Sequence, residues 1–324
     1  MTQTARNLLY IIAPLLVSAC LSVRNIPIET LQPANLTFEE PRNIIAIIAP
    51  QTLFADAVRN NAAATNIFTD SLNYNILYSL QRIWEEAPGY EDAQFFVKIT
   101  SSDSISEEYS NYDQTVHLER LEINNTYYGQ QYGFFDWEAY IYVYYTARWL
   151  IYNKSGALTD EYTDRDLIIW SSGLYSTRSD AVENLPEISD VWWDLGIAIA
   201  QSYSTHVVPQ WQTGVRYIYM VNKFPELSQM AYRAMQNDRY VHAFDIWENM
   251  LLSCRKRGQK NIKSQITYNM AISNEFQNQL EQAVYWTQRS LNLKYNYRTI
   301  NYLNLLQERK QHQIILDLQT LSNN

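Results

Sequence analysis

Alternation of apolar and polar positions is clearest between Glu138 and Tyr152. Ala139, Ile141, Val143, Tyr145, Ala147, Trp149 and Ile151 share one face, and Tyr140, Tyr142, Tyr144, Thr146 and Arg148 share the other. A period of two over that length predicts one long strand. Asn153-Lys-Ser-Gly156 follows with turn chemistry, because Gly156 is free to take positive φ. A second strand through Asp166–Trp170 then returns beside the first, giving a long antiparallel hairpin in a mixed sheet. Asn43–Pro50 is an unbroken apolar run bounded by prolines, the pattern of a strand buried on both faces. Gln94–Ile99 reads as a further strand, and the polar stretch Ser101–Asp113 as a loop.

Helical spacing appears elsewhere. Ile67, Leu72, Ile76, Leu77, Leu80 and Ile83 form an apolar stripe that predicts a helix over residues 66–86. A second helix runs from about Ser189 to Val207, with Ser189 or Asp190 as its cap and Pro209 as its stop. From Phe224 onward the pattern is helical to the end, the last helix running from about Arg298 to Leu318. Residues 21–42, broken by Pro27, Pro33 and Pro41, read as an extended lead-in.

The helical third repeats itself. Ala231 and Ala243 are twelve residues apart, as are Ala271 and Ala283, and forty residues separate the pairs. Tyr240 and Leu280 match at the same offset, and Trp247 matches the Trp286/Thr287 pair more loosely. Small residues at these spacings let paired helices approach closely, as in a tetratricopeptide repeat of about 34 residues. The basic linker Arg255–Lys260 accounts for the extra length. A generic antiparallel bundle is the plainer alternative.

Before all of this lies a leader. Arg6 supplies a positive start, the apolar run Leu8–Val17 is too short to span a bilayer, and Ser18-Ala19 precede Cys20. The order resembles the lipobox of bacterial lipoproteins, which implies removal of residues 1–19 and acylation of Cys20. Leu21 rather than an acidic residue follows, so the resemblance implies an outer-membrane, periplasm-facing address.

Composition narrows the function. Net charge is −9 with 324 residues and a pI near 5.0, against a general nucleic-acid binder. Eight glycines leave little material for phosphate-cradling loops, and two cysteines cannot make a disulfide scaffold. Cys254 reads as packing. His117, His206, His242 and His312 are too scattered to predict a metal site, and no cofactor is implied. Asp160, Glu161, Asp164 and Asp166 cluster as a solvated hairpin arm or, less simply, as the carboxylates of a hydrolase. Trp137, Trp192, Trp193 and Trp211 read as core or interface, with an aromatic platform for sugars as the alternative.

In order along the chain, the lipobox at Cys20, Pro33-Ala34 with Leu36 and Phe38, the strand 43–49, Gly196 and Tyr203 leading to Pro209-Gln-Trp211, Val215-Arg216, Tyr219 and the repeat helices resemble Bacteroidetes-type outer-membrane lipoproteins of unknown function. These carry C-terminal tetratricopeptide-like repeats, and the resemblance implies no catalytic residues. The expected fold is α+β. A leader (1–19) and an α/β mixed-sheet domain (20–215) precede an all-α tetratricopeptide-like hairpin domain (216–324). The expected function is non-enzymatic: an envelope protein anchored to the membrane by its N-terminal lipid. It would bind a protein partner through Tyr232, Met235, Tyr268 and Ile272 on the first helix of each hairpin, with glycan binding as the alternative.

Overall fold

The computed structural model describes residues 23–37, 43–50, 65–100, 111–133, 135–256 and 258–321. Cys20 and the leader lie outside them. In chain order the elements are β1 (Val23–Gln32), β2 (Ile44–Pro50), α1 (Thr65–Glu85), β3 (Gln94–Thr100), β4 (Gln114–Tyr132), β5 (Asp136–Asn153) and β6 (Leu158–Tyr175). There follow α2 (Arg178–Glu183), α3 (Ile188–Val207), β7 (Gln210–Tyr219), α4 (Pro225–Gln236), α5 (Tyr240–Leu252), α6 (Lys260–Phe276), α7 (Leu280–Leu293) and α8 (Tyr297–Leu321). The class is α+β: a mixed sheet first, then a helical region.

The chain forms two compact units, and they are not consecutive in sequence. Residues 33–210, with the chain beyond 316, make the sheet unit. Residues 23–32 join residues 211–316 in the helical unit. The lead-in therefore does not belong with the sheet, as the 20–215 boundary had it. β1 instead pairs with β7, a strand the helix-stop pattern at Pro209 did not predict.

In the sheet unit the strand order is β3-β2-β4-β5-β6. β2 runs parallel to both β3 and β4, and Ile45 to Ala49 are wholly buried, as an apolar run without alternation requires. The β5–β6 hairpin is antiparallel, with Tyr145 opposite Asp166 and Trp149 opposite Tyr162. Gly156 turns it at φ 77°. The predicted face of β5 is the buried one, and residues of α1 and α3 complete the same core. At its centre Trp149 stacks on Tyr203 of α3, ring centroids 4.1 Å apart and 8° from parallel, and Trp84 donates from Nε1 to Ser204 at 3.1 Å.

β4 escaped the sequence pattern for a local reason. Val116 and Leu118 face the core at even positions, while Leu121 and Ile123 do so at odd ones. The register shifts between Leu118 and Arg120, so a bulge at Glu119 resets the alternation. α3 begins at Ile188 behind Glu187, not behind Ser189 or Asp190, and Glu187 makes no side-chain cap bond. Gly196 has no room for a side chain. An added Cβ would stand 2.4 Å from the Asn75 amide nitrogen, which donates to the Trp193 carbonyl at 2.6 Å.

The helical unit preserves the forty-residue offset in three dimensions. Ala231, Ala243, Ala271 and Ala283 are all fully buried. Asp238 and Asn278 turn the two hairpins at φ 57° and 56°. Arg239 and Gln279 each donate a backbone bond of 2.9 Å to the carbonyls of Ala234 and Asn274, closing the turns identically. At the looser match it is Thr287, not Trp286, that occupies the buried place of Trp247, its hydroxyl satisfied by the Ala283 carbonyl. The two hairpins differ in burial. Residues 266–275 of α6 are buried without interruption, so this stretch of the helix is hydrated on no face. Cys254 packs into the same core at 3% exposure.

Candidate functional site

The four predicted partner-binding residues are not a free surface. Tyr232, Met235, Tyr268 and Ile272 are 8%, 1%, 2% and 0% exposed and belong to the core of the helical unit. Tyr232 donates to the Asn25 carbonyl of β1 at 3.0 Å. The correction follows from what covers the helices. The residues of α4 and α6 that a free-standing array would turn to a groove pack instead against β1, β7 and α8.

Tyr268 nevertheless reaches a recess. A cavity of about 460 Å³ opens between β7, α6 and α8, lined by Val215, Arg216, Tyr217, Tyr268, Tyr297, Arg298, Asn301, Tyr302 and Leu305. Its floor is tied together by charge. Glu275 is wholly buried and accepts from Arg216 Nε at 3.0 and 2.8 Å and from Arg216 Nη2 at 2.6 Å. It also accepts from Arg309 Nη1 at 2.6 Å and from the Tyr302 hydroxyl at 2.8 Å. Burial pulls the Arg216 guanidinium down, but the Glu275 bonds outweigh it and hold the group above its ordinary pKa. Burial likewise pushes the Tyr268 and Tyr302 phenols up, so both stay protonated donors. Asn269 fixes β7 over this floor, accepting from the Tyr219 amide at 2.9 Å and donating to its carbonyl at 2.7 Å.

At the rim sits Arg298, an exposed residue of α8. Its guanidinium carbon lies 5.0 Å from the centre of the Tyr217 ring and 5.6 Å from that of Tyr219. Tyr219 is held in turn by Asn296 Nδ2 at 2.9 Å. The recess is thus ring-walled and apolar over most of its lining, with a cation at its mouth.

The repeat carries a signal for Glu275. The forty-residue offset aligns Glu275 with Met235, which is core. A carboxylate at a core position must find cations, because burying it alone costs several kcal/mol.

The other predicted features resolve differently. The carboxylates of β6 divide: Glu161 and Asp166 are exposed, as a solvated arm has them, whereas Asp160 is half-buried and Asp164 buried. Asp164 is buried and accepts from the Tyr145 hydroxyl at 2.8 Å, Asp160 pairs with His206 Nε2 at 3.0 Å, and Glu161 holds Arg148 at 2.9 Å. Asp160 and Asp164 are four residues apart on one strand, about 13 Å at the usual rise, too far for an acid/base pair on one bond. His206 also stacks on Tyr162 at 4.0 Å. His117 is buried at 7% exposure with neither ring nitrogen bonded, and burial lowers its pKa to about 4. His242 is exposed, and His312 lies 3.9 Å from Glu308. Among the described residues no group of three or more His, Cys, Asp or Glu is placed to hold a metal ion.

The tryptophans differ in exposure. Successive helical residues point about 100° apart, so Trp192 packs against the core while Trp193 is 61% exposed. Trp137 is half-buried on β5, and Trp211, 63% exposed, belongs to the other unit. Arg255, Lys256 and Lys260 of the basic linker are exposed.

Comparison with known proteins adds two partial matches. A domain of unknown function, DUF6340, matches residues 229–308, and a second, DUF8603, matches residues 100–219. The first therefore covers α4 to α7 with half of α8, and the second covers β4 to β7. No curated protein matches the sequence. Among solved structures, the chain is similar to a neuraminyllactose-binding hemagglutinin homolog from Helicobacter pylori (TM-score 0.31, 9% identity, 52% of this chain and 90% of that one). It is also similar to a minor lipoprotein from Acinetobacter baumannii (TM-score 0.25, 14% identity, 52% and 97%). A third similar structure is a PelC dodecamer from Paraburkholderia phytofirmans (TM-score 0.23, 15% identity, 54% and 95%).

Proposed function

We propose that the protein is a non-enzymatic, lipid-anchored envelope protein that binds another envelope protein through its helical unit. The observation that carries this is the ring-walled recess between β7, α6 and α8. It is braced from beneath by a saturated ion network, and a recess of that rigidity holds an anchoring side chain without reorganising. Anchorage and address rest on the order of charge, apolar run and small residues before Cys20. Among the described residues no helix is long and apolar enough to cross a membrane.

Affinity capture from crosslinked envelopes tests the binding role. Wild type and Trp193→Ala should recover the same discrete envelope protein, and Leu305→Trp, which fills the recess, should lose it. Equal recovery by the filled variant, or none by wild type, refutes the docking role. The exposed Trp193 favours glycan binding as a second reading. It wins if an oligosaccharide binds wild type and not Trp193→Ala. The anchor has its own check: Cys20→Ala should move the protein from the membrane pellet to the soluble fraction and abolish labelling by radioactive palmitate.

A further inference from the structure

We infer that the recess takes an acidic peptide segment, one that places an Asp or Glu carboxylate beside a bulky apolar side chain. The inference rests on the docking role proposed above and gives the partner its chemistry. Charge comes first. The network beneath the recess holds two guanidinium groups, Arg216 and Arg309, against the one carboxylate of Glu275. Both oxygens of that carboxylate are already engaged, Oε1 by the two arginines and Oε2 by Arg216 and Tyr302. Glu275 therefore has no capacity left for a third cation. Arg298 at the mouth is that third cation; its guanidinium lies over the ring faces of Tyr217 and Tyr219, and among the described residues no carboxylate pairs with it. Among the described residues no carboxylate lines the recess. The walls thus carry a surplus of positive charge in a protein whose net charge is −9.

Shape and bonding capacity choose among anions. Val215, Leu305 and the rings of Tyr217, Tyr268, Tyr297 and Tyr302 offer apolar contact. Two of the polar groups that could serve a polyol, Tyr302 and Arg216, are spent on Glu275. An acidic sugar would bury hydroxyls against these rings, at a cost of roughly 1–3 kcal/mol for each one left unmatched. A phenyl or leucyl side chain brings no hydroxyl to satisfy, and an adjacent carboxylate reaches Arg298, whose planar fork donates two parallel bonds to it.

The test uses the full chain in detergent and the labelled hexapeptide Ac-Gly-Ser-Phe-Glu-Ser-Gly-NH2, read by fluorescence anisotropy. Glutamate should bind about ten-fold tighter than the same peptide with glutamine, the ratio that 1.4 kcal/mol gives. Arg298→Gln, a change at an exposed site outside the Glu275 network, should erase that preference while leaving the circular dichroism spectrum unchanged. Raising salt should narrow the preference in wild type only. Equal binding of the two peptides, a preference that survives Arg298→Gln, or no binding by either overturns the inference. So does sialic acid methyl glycoside binding where the peptides do not. If the preference is absent while capture from envelopes still depends on the open recess, the charge inference alone has failed. If capture ignores the filled recess as well, the docking role has failed with it.

Discussion

Glu275→Ala should cost about 3–5 kcal/mol of stability, because it leaves Arg216 and Arg309 buried without a counter-charge. The side chains concerned are 0%, 8% and 16% exposed, so water can do little to screen the loss. Tyr302 loses its acceptor in the same step. Urea denaturation followed by tyrosine and tryptophan fluorescence measures it. A second variant separates the removal of a pair from its breakage. Replacing Arg216, Glu275 and Arg309 together by Met extends to the second hairpin the apolar choice made at Met235 in the first. It should recover most of the lost stability, since an ion network swapped whole for packed apolar groups is often neutral. A Glu275→Ala loss below about 1 kcal/mol would show that the network is hydrated and does not brace the recess.

The second large effect is a dependence on pH set by His117. Its ring lies between Ile48 and Leu150 in the sheet, buried, with both nitrogens unbonded. Burial favours the neutral imidazole, so the folded pKa falls to about 4 from 6.5. The sign follows: between these values the unfolded chain binds a proton that the folded one refuses. The contribution is complete above pH 6.5 and drains away as pH falls toward 4, a loss of roughly 3 kcal/mol at about 1.36 per pH unit. His117→Leu should flatten the stability profile of the sheet unit between pH 7 and 4. It should also raise stability at pH 7 by about 1–2 kcal/mol, since two unbonded polar atoms leave an apolar site. An unchanged acid slope in the variant would place the titration elsewhere.

Both effects stem from buried polar groups, and these were the least legible part of the sequence. The β5 strand is plain because its period of two runs without a break from Ala139 to Ile151, and its buried face is the predicted one. β4, nearly as long, was hidden by a single bulge residue that moved its apolar side chains from even to odd positions. The hairpin repeat was legible in small residues, and the structure returns it in matching turns at Asp238 and Asn278. The use of that repeat was not legible. Tyr232, Met235, Tyr268 and Ile272 had the spacing of groove residues, yet strands β1 and β7 and helix α8 cover them.

Local patterns settled what could be settled locally: which segments are strands, which are helices, where the hairpins turn, and that the chain divides into a sheet part and a helical part. These depend on the periodicity of side chains along one backbone and on turn residues, all of it written within a few positions. Tertiary structure alone decided that residues 23–32 leave the sheet unit to pair with β7, that Glu275 meets Arg216 and Arg309, and that Arg298 meets the rings of Tyr217 and Tyr219 at the mouth of a recess. Each of these joins residues tens to nearly two hundred positions apart. Burial and charge pairing are properties of what the folded chain brings together, and no spacing within a segment encodes them.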